Sequence, residues 1–119
     1  MNVAVIGASN KPDRYSYKAV KLLLEKGHQV YPVHPRIKDI EGLPVYRTLR
    51  DIADEIHTVT LYVGAASSTP MVLEILACRP QRIIFNPGAE NAVLKEQAEK
   101  EGILTVIGCT LVMLKTGQF

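Results

Sequence analysis

The chain has 119 residues, of which 47% are hydrophobic and 22% charged, and its formal net charge is +2. That length supports one domain with a real core and no need of disulfide staples, and the composition is that of a globular protein rather than a disordered one. The nearly balanced charge, with no run of Lys and Arg, argues against bulk nucleic-acid binding, and no apolar stretch approaches the roughly 20 residues of a membrane span.

Only two cysteines occur, Cys78 and Cys109, without CxxC or metal-ligand spacing. This fits a reducing cytoplasm and assigns no metal site. The N-terminus runs directly into a strand, so no signal peptide is expected.

Residues 2–6 form the first predicted strand, an apolar run suited to the buried centre of a parallel sheet. After a loop, a helix is predicted from near Ser16 to Lys26. Val20, Leu23 and Leu24 recur there at helical spacing, and Gly27 stops it. The second strand is Gln29–Val33, with Pro32 expected near a strand end or at a bulge. Residues 37–56 are the least regular part: a turn and a short strand around Ile40–Tyr46, then one or two helical turns after Thr48. A strand over His57–Val63 leads into the small-residue loop 64–69. Thr69-Pro70 reads as a helix start, with the Thr69 hydroxyl as cap. Val72, Ile75 and Leu76 give that helix its buried stripe. Arg82–Asn86 is the next strand, a helix follows from about Asn91 to Glu101, and Ile103–Ile107 is the last strand. The apolar tail 108–119 has no evident place in a sheet. It reads either as a short helix covering an edge or as part of a subunit interface, which raises a homodimer as one partner arrangement.

Alternating β and α segments with short connections demand a three-layer, Rossmann-like, doubly wound α/β fold. Five or six mainly parallel strands form the sheet, with helices on both faces, as one domain over 1–119.

The first strand-to-helix turn is the most informative segment. A buried strand ends at Gly7, and Ala8, Ser9, Lys11, Arg14 and Ser16 precede or open the next helix. Free N–H groups at such a helix start attract anions, and these side chains add donors and positive charge, so a phosphate-bearing ligand is expected. The dinucleotide fingerprint GxGxxG fails here, because Ser9 and Pro12 stand where its second and third glycines belong. At the end of the second strand, Val33-His34-Pro35-Arg36 offers no acid for the ribose 2′-OH of NAD. A basic residue there favours a ribose carrying an extra phosphate, as in NADP or coenzyme A, and the residues alone do not separate the two.

Val5-Ile6-Gly7-Ala8-Ser9, with Pro12, Arg14 and Ser16-Tyr17 downstream, and Val30-Tyr31-Pro32-Val33-His34-Pro35-Arg36 resemble the small stand-alone CoA-binding proteins. These are relatives of the nucleotide domain in the α subunit of succinyl-CoA synthetase. Ile40, Gly42, Val45-Tyr46, Leu49 and Asp51-Ile52 continue the likeness, which spans most of residues 2–63 and weakens afterwards. The resemblance implies that Gly7, Ala8 and Ser9 line a pyrophosphate, with Lys11 and Arg14 offsetting its charge and Ser16 adding a donor. It implies that His34, Pro35 and Arg36 border the adenosine end, with Arg36 near the 3′-phosphate, and that the loop at Val63-Gly64 lies across the opening. His34 stands where asparagine is common in that family, Gly64-Ala65-Ala66 replaces an aromatic and a basic residue, and Asn86-Pro87-Gly88 replaces Gln-x-Gly.

No residue is assigned to catalysis. His28 and His57 start strands and read as structural, and Cys109 reads as a small buried hydrophobe. The carboxylates Asp51, Asp54, Glu55, Glu90, Glu96 and Glu101 form no acid–base pair. The leading expectation is therefore a binder of coenzyme A or an acyl-CoA that catalyses nothing alone. The alternatives are an NADP-using oxidoreductase or redox-sensing module, and a ligase or acyltransferase component that works with a partner chain.

Overall fold

The computed structural model describes residues 1–119. In chain order it contains β1 (Asn2–Ile6), α1 (Tyr15–Glu25), β2 (Gln29–Val33), β3 (Asp39–Ile40), β4 (Leu43–Pro44) and β5 (Thr58–Leu61). Then follow α2 (Ala65–Ser68), α3 (Val72–Ala77), β6 (Arg82–Phe85), α4 (Ala92–Lys100), β7 (Leu104–Ile107) and α5 (Thr110–Lys115). Five strands make one sheet in the order β2-β1-β5-β6-β7, with every pairing parallel, while β3 and β4 form a separate antiparallel hairpin. This is the Rossmann-like α/β architecture that the alternating pattern predicts.

Burial on both faces explains why the central strand β1 reads as an unbroken apolar run. Val3, Ala4, Val5 and Ile6 are all buried. Ala4, Ile6, Val59, Leu61, Ile83 and Phe85 point into one core with Ile75 and Leu76 of α3 and Leu94 and Ala98 of α4. Val3, Val5 and Val30 point the other way, against Val20 and Leu23 of α1 and Leu114 of α5. α1 turns Ser16, Ala19, Val20 and Leu23 inward, the three- and four-residue spacing of one helical face.

Pro32 lies within β2, which is an edge strand of the main sheet. Its carbonyl accepts the Tyr46 N–H at 2.9 Å. A residue's nitrogen and carbonyl face the same side of a strand, so the missing N–H of Pro32 points away from β1 and no ladder bond is lost. The irregular stretch after β2 resolves into the β3–β4 hairpin. Its turn residues Glu41 and Gly42 both have positive φ, 52° and 77°, as a type I′ turn requires.

One expectation changes, and one of the two readings of the tail is met. The helical path after β5 begins at Ala65 and passes through a 3-10 turn at Thr69–Met71 before α3. Thr69 does not cap a helix; its hydroxyl accepts from Asn91 Nδ2 at 3.1 Å. Asn91 itself caps α4 by accepting the Leu94 N–H. The tail also finds a place: α5 packs on α1 and buries Thr110, Leu111 and Leu114, which leaves Val112 exposed. Most of the apolar side chains of the tail are thus used inside the protomer. No helix is long and apolar enough to cross a membrane.

Candidate functional site

The strand order fixes where a ligand can enter. From β1 the chain crosses to β2 on one side, then returns past β1 to β5 on the other. The loops leaving β1 and β5 therefore diverge, and a crevice opens beyond the carboxyl ends of the strands. A cavity of about 690 Å³ lies there, bordered by the segments that follow β1, β2, β5 and β6. Ligand sites commonly fall in the range of about 300–1,000 Å³.

Gly7 leaves β1 with φ +84° and no room for a side chain: a Cβ would stand 2.7 Å from Val63 Cγ1 and 3.1 Å from the Tyr62 carbonyl oxygen. The Gly7 and Ala8 amides both donate to Val33 O, at 3.1 and 3.3 Å. This clamps the loop to the end of β2 and commits those two amides within the protein. Free amides lie further along. Ser9, Asn10, Tyr15, Ser16 and Tyr17 have no backbone or side-chain acceptor. The cap position of α1 holds Arg14, which makes no capping bond, and the first turn contains no acid. A cation beside three uncapped N–H groups is unfavourable for an isolated helix, because both carry positive charge. An anion at that point reverses the sign of the interaction.

Lys11, Arg14 and Arg47 line the cleft, and no aspartate or glutamate does. In a chain whose net charge is only +2, this is a local concentration of positive charge. Arg47 arrives through the contact of Tyr46 with β2: a parallel bridge joins Val33 to Tyr46, and the His34 N–H donates to Tyr46 O at 2.9 Å. His34 lines the cleft while its Nδ1 accepts the backbone N–H groups of Arg36 and Ile37 at 3.0 and 3.1 Å. Burial, aided by the Arg36 charge, holds the imidazole pKa below its ordinary value.

Gly7, Ala8, Ser9, Lys11, Arg14, Ser16, His34, Pro35 and Val63 all border the cleft; Arg36 and Gly64 do not. Arg36 is exposed, and Gly64 caps α2. Sequence reasoning did not assign Asn10, Tyr15, Arg47, Tyr62, Ser67, Met71 or Pro87 to the site. The crevice rule points to the ends of β5 and β6, which locates Tyr62 and Pro87. No local signal marks Arg47, whose position depends on the long-range contact at Tyr46.

Beneath the cleft, Asn86 ties three elements together. Its Nδ2 donates to Thr60 Oγ1 at 2.7 Å and Leu61 O at 2.8 Å, and its Oδ1 accepts the Thr110 N–H at 2.8 Å. The Thr60 and Thr110 hydroxyls bond each other at 2.7 Å. The neighbouring Tyr62 hydroxyl is buried without a hydrogen-bond partner, and burial pushes that phenol up to about 12, so it stays neutral. Asn86 thus has a structural task that leaves it no donor for a ligand.

The other candidates lie elsewhere. His28 stacks edge-to-face on Phe119 with ring centroids 5.2 Å apart, and His57 contacts Thr58 Oγ1 at 2.7 Å, both at the amino end of the sheet. Cys109, half-buried, occupies the cap position of α5. Cys78 is half-buried too, and its thiol is raised by burial and then by Glu74.

A family model described as a CoA binding domain matches residues 1–115. The α subunit of ADP-forming acetate–CoA ligase I of Pyrococcus furiosus is 38% identical over 79 residues, which is 61% of this chain and 17% of the ligase subunit. The corresponding subunit of ligase II from the same organism is 37% identical over 62 residues, 51% of this chain and 14% of that subunit. The chain therefore aligns with less than a fifth of the length of these relatives. A crystal structure described only as that of an uncharacterized protein superposes with a TM-score of 0.90 and 36% identity, covering 99% of this chain and 97% of the other. A protein from Pyrococcus horikoshii OT3 gives a TM-score of 0.91 at 29% identity, covering 96% of this chain and 81% of that one.

Proposed function

The chain belongs to the CoA binding domain family, and from that premise we propose that the cleft at its strand ends captures coenzyme A or an acyl-CoA without catalysing a reaction itself. One observation carries the reading: the uncapped amino end of α1, with Arg14 at its cap and Lys11 and Arg47 nearby, in a cleft without a carboxylate. A pyrophosphate seated there accepts from the amides of Ser9, Asn10 and the first turn of α1, and its charge is offset by Lys11 and Arg14. Gly7 and Ala8 shape the loop, and Ser16 adds a hydroxyl.

The adenosine end lies along His34 and Pro35. Two cations serve the third phosphate, Arg36 on the loop after β2 and Arg47, which already borders the cleft. The missing acid at the end of β2 disfavours NAD. Val63 and Gly64 follow β5, where the pantetheine arm leaves the crevice. We assign the chain binding only, in the cytoplasm; any ligase reaction falls to further domains or to a partner chain.

Titration calorimetry with CoA, dephospho-CoA, NADH and NADPH tests this. CoA binds, and removing its 3′-phosphate weakens binding by about tenfold or more, the worth of a charge-assisted hydrogen-bonded pair. Failure to bind CoA, or binding of NADPH in its place, refutes the proposal.

A further inference from the structure

We propose that His34 is a positioning residue that holds the loop after β2 in its ligand-ready form only while its imidazole is neutral, so that acid weakens capture of a phosphate-bearing ligand where simple charge attraction would strengthen it. The inference rests on the reading of the cleft given above. His34 Nδ1 accepts two backbone N–H groups, from Arg36 at 3.0 Å and Ile37 at 3.1 Å. A ring nitrogen that accepts carries no proton, so the neutral ring bears its hydrogen on Nε2. That nitrogen has no protein partner, and the ring borders the cleft. One N–H of fixed position is therefore left for an acceptor atom of the ligand.

The arrangement is an Asx-type turn with an imidazole in place of the side-chain carbonyl. The two differ in one property: the accepting atom of histidine can take a proton. A proton on Nδ1 removes the acceptor from both N–H groups at once and sets a third donor against them. The segment Pro35–Ile37, which borders the adenosine end of the site, then loses what ties it to His34. The groups around the ring oppose protonation as well. Burial and the nearby Arg36 charge disfavour a cation on the ring; Lys11, Arg14, Tyr15, Arg47 and Tyr62 line the same cleft, in which there is no carboxylate.

For a histidine that merely faces a phosphate, acid creates a cation and raises affinity. For His34 the sign inverts. His34→Asn keeps the turn, because Asn Oδ1 accepts from the residue two positions on, and removes the titration. Calorimetry with CoA from about pH 7.5 to about pH 5.5 compares wild type with H34N, and the ratio of their affinities cancels the titration of the ligand's own phosphate. Wild type loses about three- to tenfold relative to H34N over that range, the worth of one hydrogen bond or a little more. An unchanged ratio, or a relative gain by wild type in acid, overturns the proposal. Nitrogen NMR of the histidine rings in the free protein gives a reading independent of ligand. The Nε2–H tautomer, titrating below 6.5, supports the proposal, and an Nδ1–H tautomer overturns it. Failure of both proteins to bind CoA, with the Nε2–H tautomer present, refutes the CoA reading and leaves the loop arrangement standing.

Discussion

Gly7→Ala strikes the point where the first strand hands over to the ligand loop. Residue 7 has φ +84°, and an L-residue in the left-handed region costs roughly 1–2 kcal/mol relative to glycine. The added methyl would also stand 2.7 Å from Val63 Cγ1, 3.1 Å from Tyr62 O and 3.2 Å from Tyr62 C. Valine has little rotamer freedom and the other two atoms are backbone, so the strand end must move, an overpacking cost of about 1–3 kcal/mol. Together these give a loss of roughly 2–5 kcal/mol, a Tm lower by about 8–20 °C at about 4 °C per kcal/mol for a chain of this size. Gly64→Ala is the matched control. Gly64 has φ −69°, and its added methyl meets nothing nearer than Gly88 O at 3.8 Å, so its Tm stays within about 2 °C of wild type. Thermal unfolding followed by circular dichroism measures both. Equal melting of G7A and G64A refutes the reasoning.

Lys11→Ala and Arg14→Ala each weaken CoA binding by about tenfold, with melting of the free protein nearly unchanged because exposed loop charges contribute about 0–1 kcal/mol; calorimetry and a melting curve on the same sample check the pair. Asn86→Ala strands the Thr110 N–H and the Leu61 carbonyl in the core, and urea unfolding should show a loss of roughly 2–4 kcal/mol; a loss below about 1 kcal/mol contradicts the account of that network. Stability falls with acid in the neutral range. Burial holds His28, His34 and His57 below 6.5 in the folded chain, so the unfolded chain takes up protons first as pH drops through that value. The urea midpoint at about pH 5.5 therefore lies below that at about pH 7.5, and a flat or rising profile refutes this.

The sheet was legible because its strands are rich in apolar and β-branched residues, with β1 buried along almost its whole length. β1 and β2 fall where the sequence places them, and the stripe Val20, Leu23, Leu24 marks α1 within a residue or two at each end. What escaped depends on contacts between distant segments. Thr69-Pro70 has the form of a helix start, yet Asn91, more than twenty residues on, engages the Thr69 hydroxyl, and the helical path begins earlier, at Ala65. The tail looked unplaced because its partner surface, the α1 side of the sheet with Thr60 and Asn86, assembles only when the strands pair.

The site follows the same division. Gly7, Ser9, Lys11, Arg14 and Ser16 are contiguous, and their chemistry reads directly as an anion loop. Which amides stay free is not local information: Val33 O occupies those of Gly7 and Ala8, and the donors shift to Ser9, Asn10 and the start of α1. Arg47 reaches the cleft only because Tyr46 docks beside β2. His34 shows in sequence as a departure from asparagine. Only the geometry reveals that its ring does an asparagine's work in the turn.

The most direct test of the central claim is an amide-resolved NMR titration of the free protein with CoA. The account predicts saturable shifts largest at the unpartnered amides of Ser9, Asn10, Tyr15, Ser16 and Tyr17, with little change at His57 or Arg82 at the opposite end of the sheet. Shifts centred at that opposite end, or none at the start of α1, would contradict it.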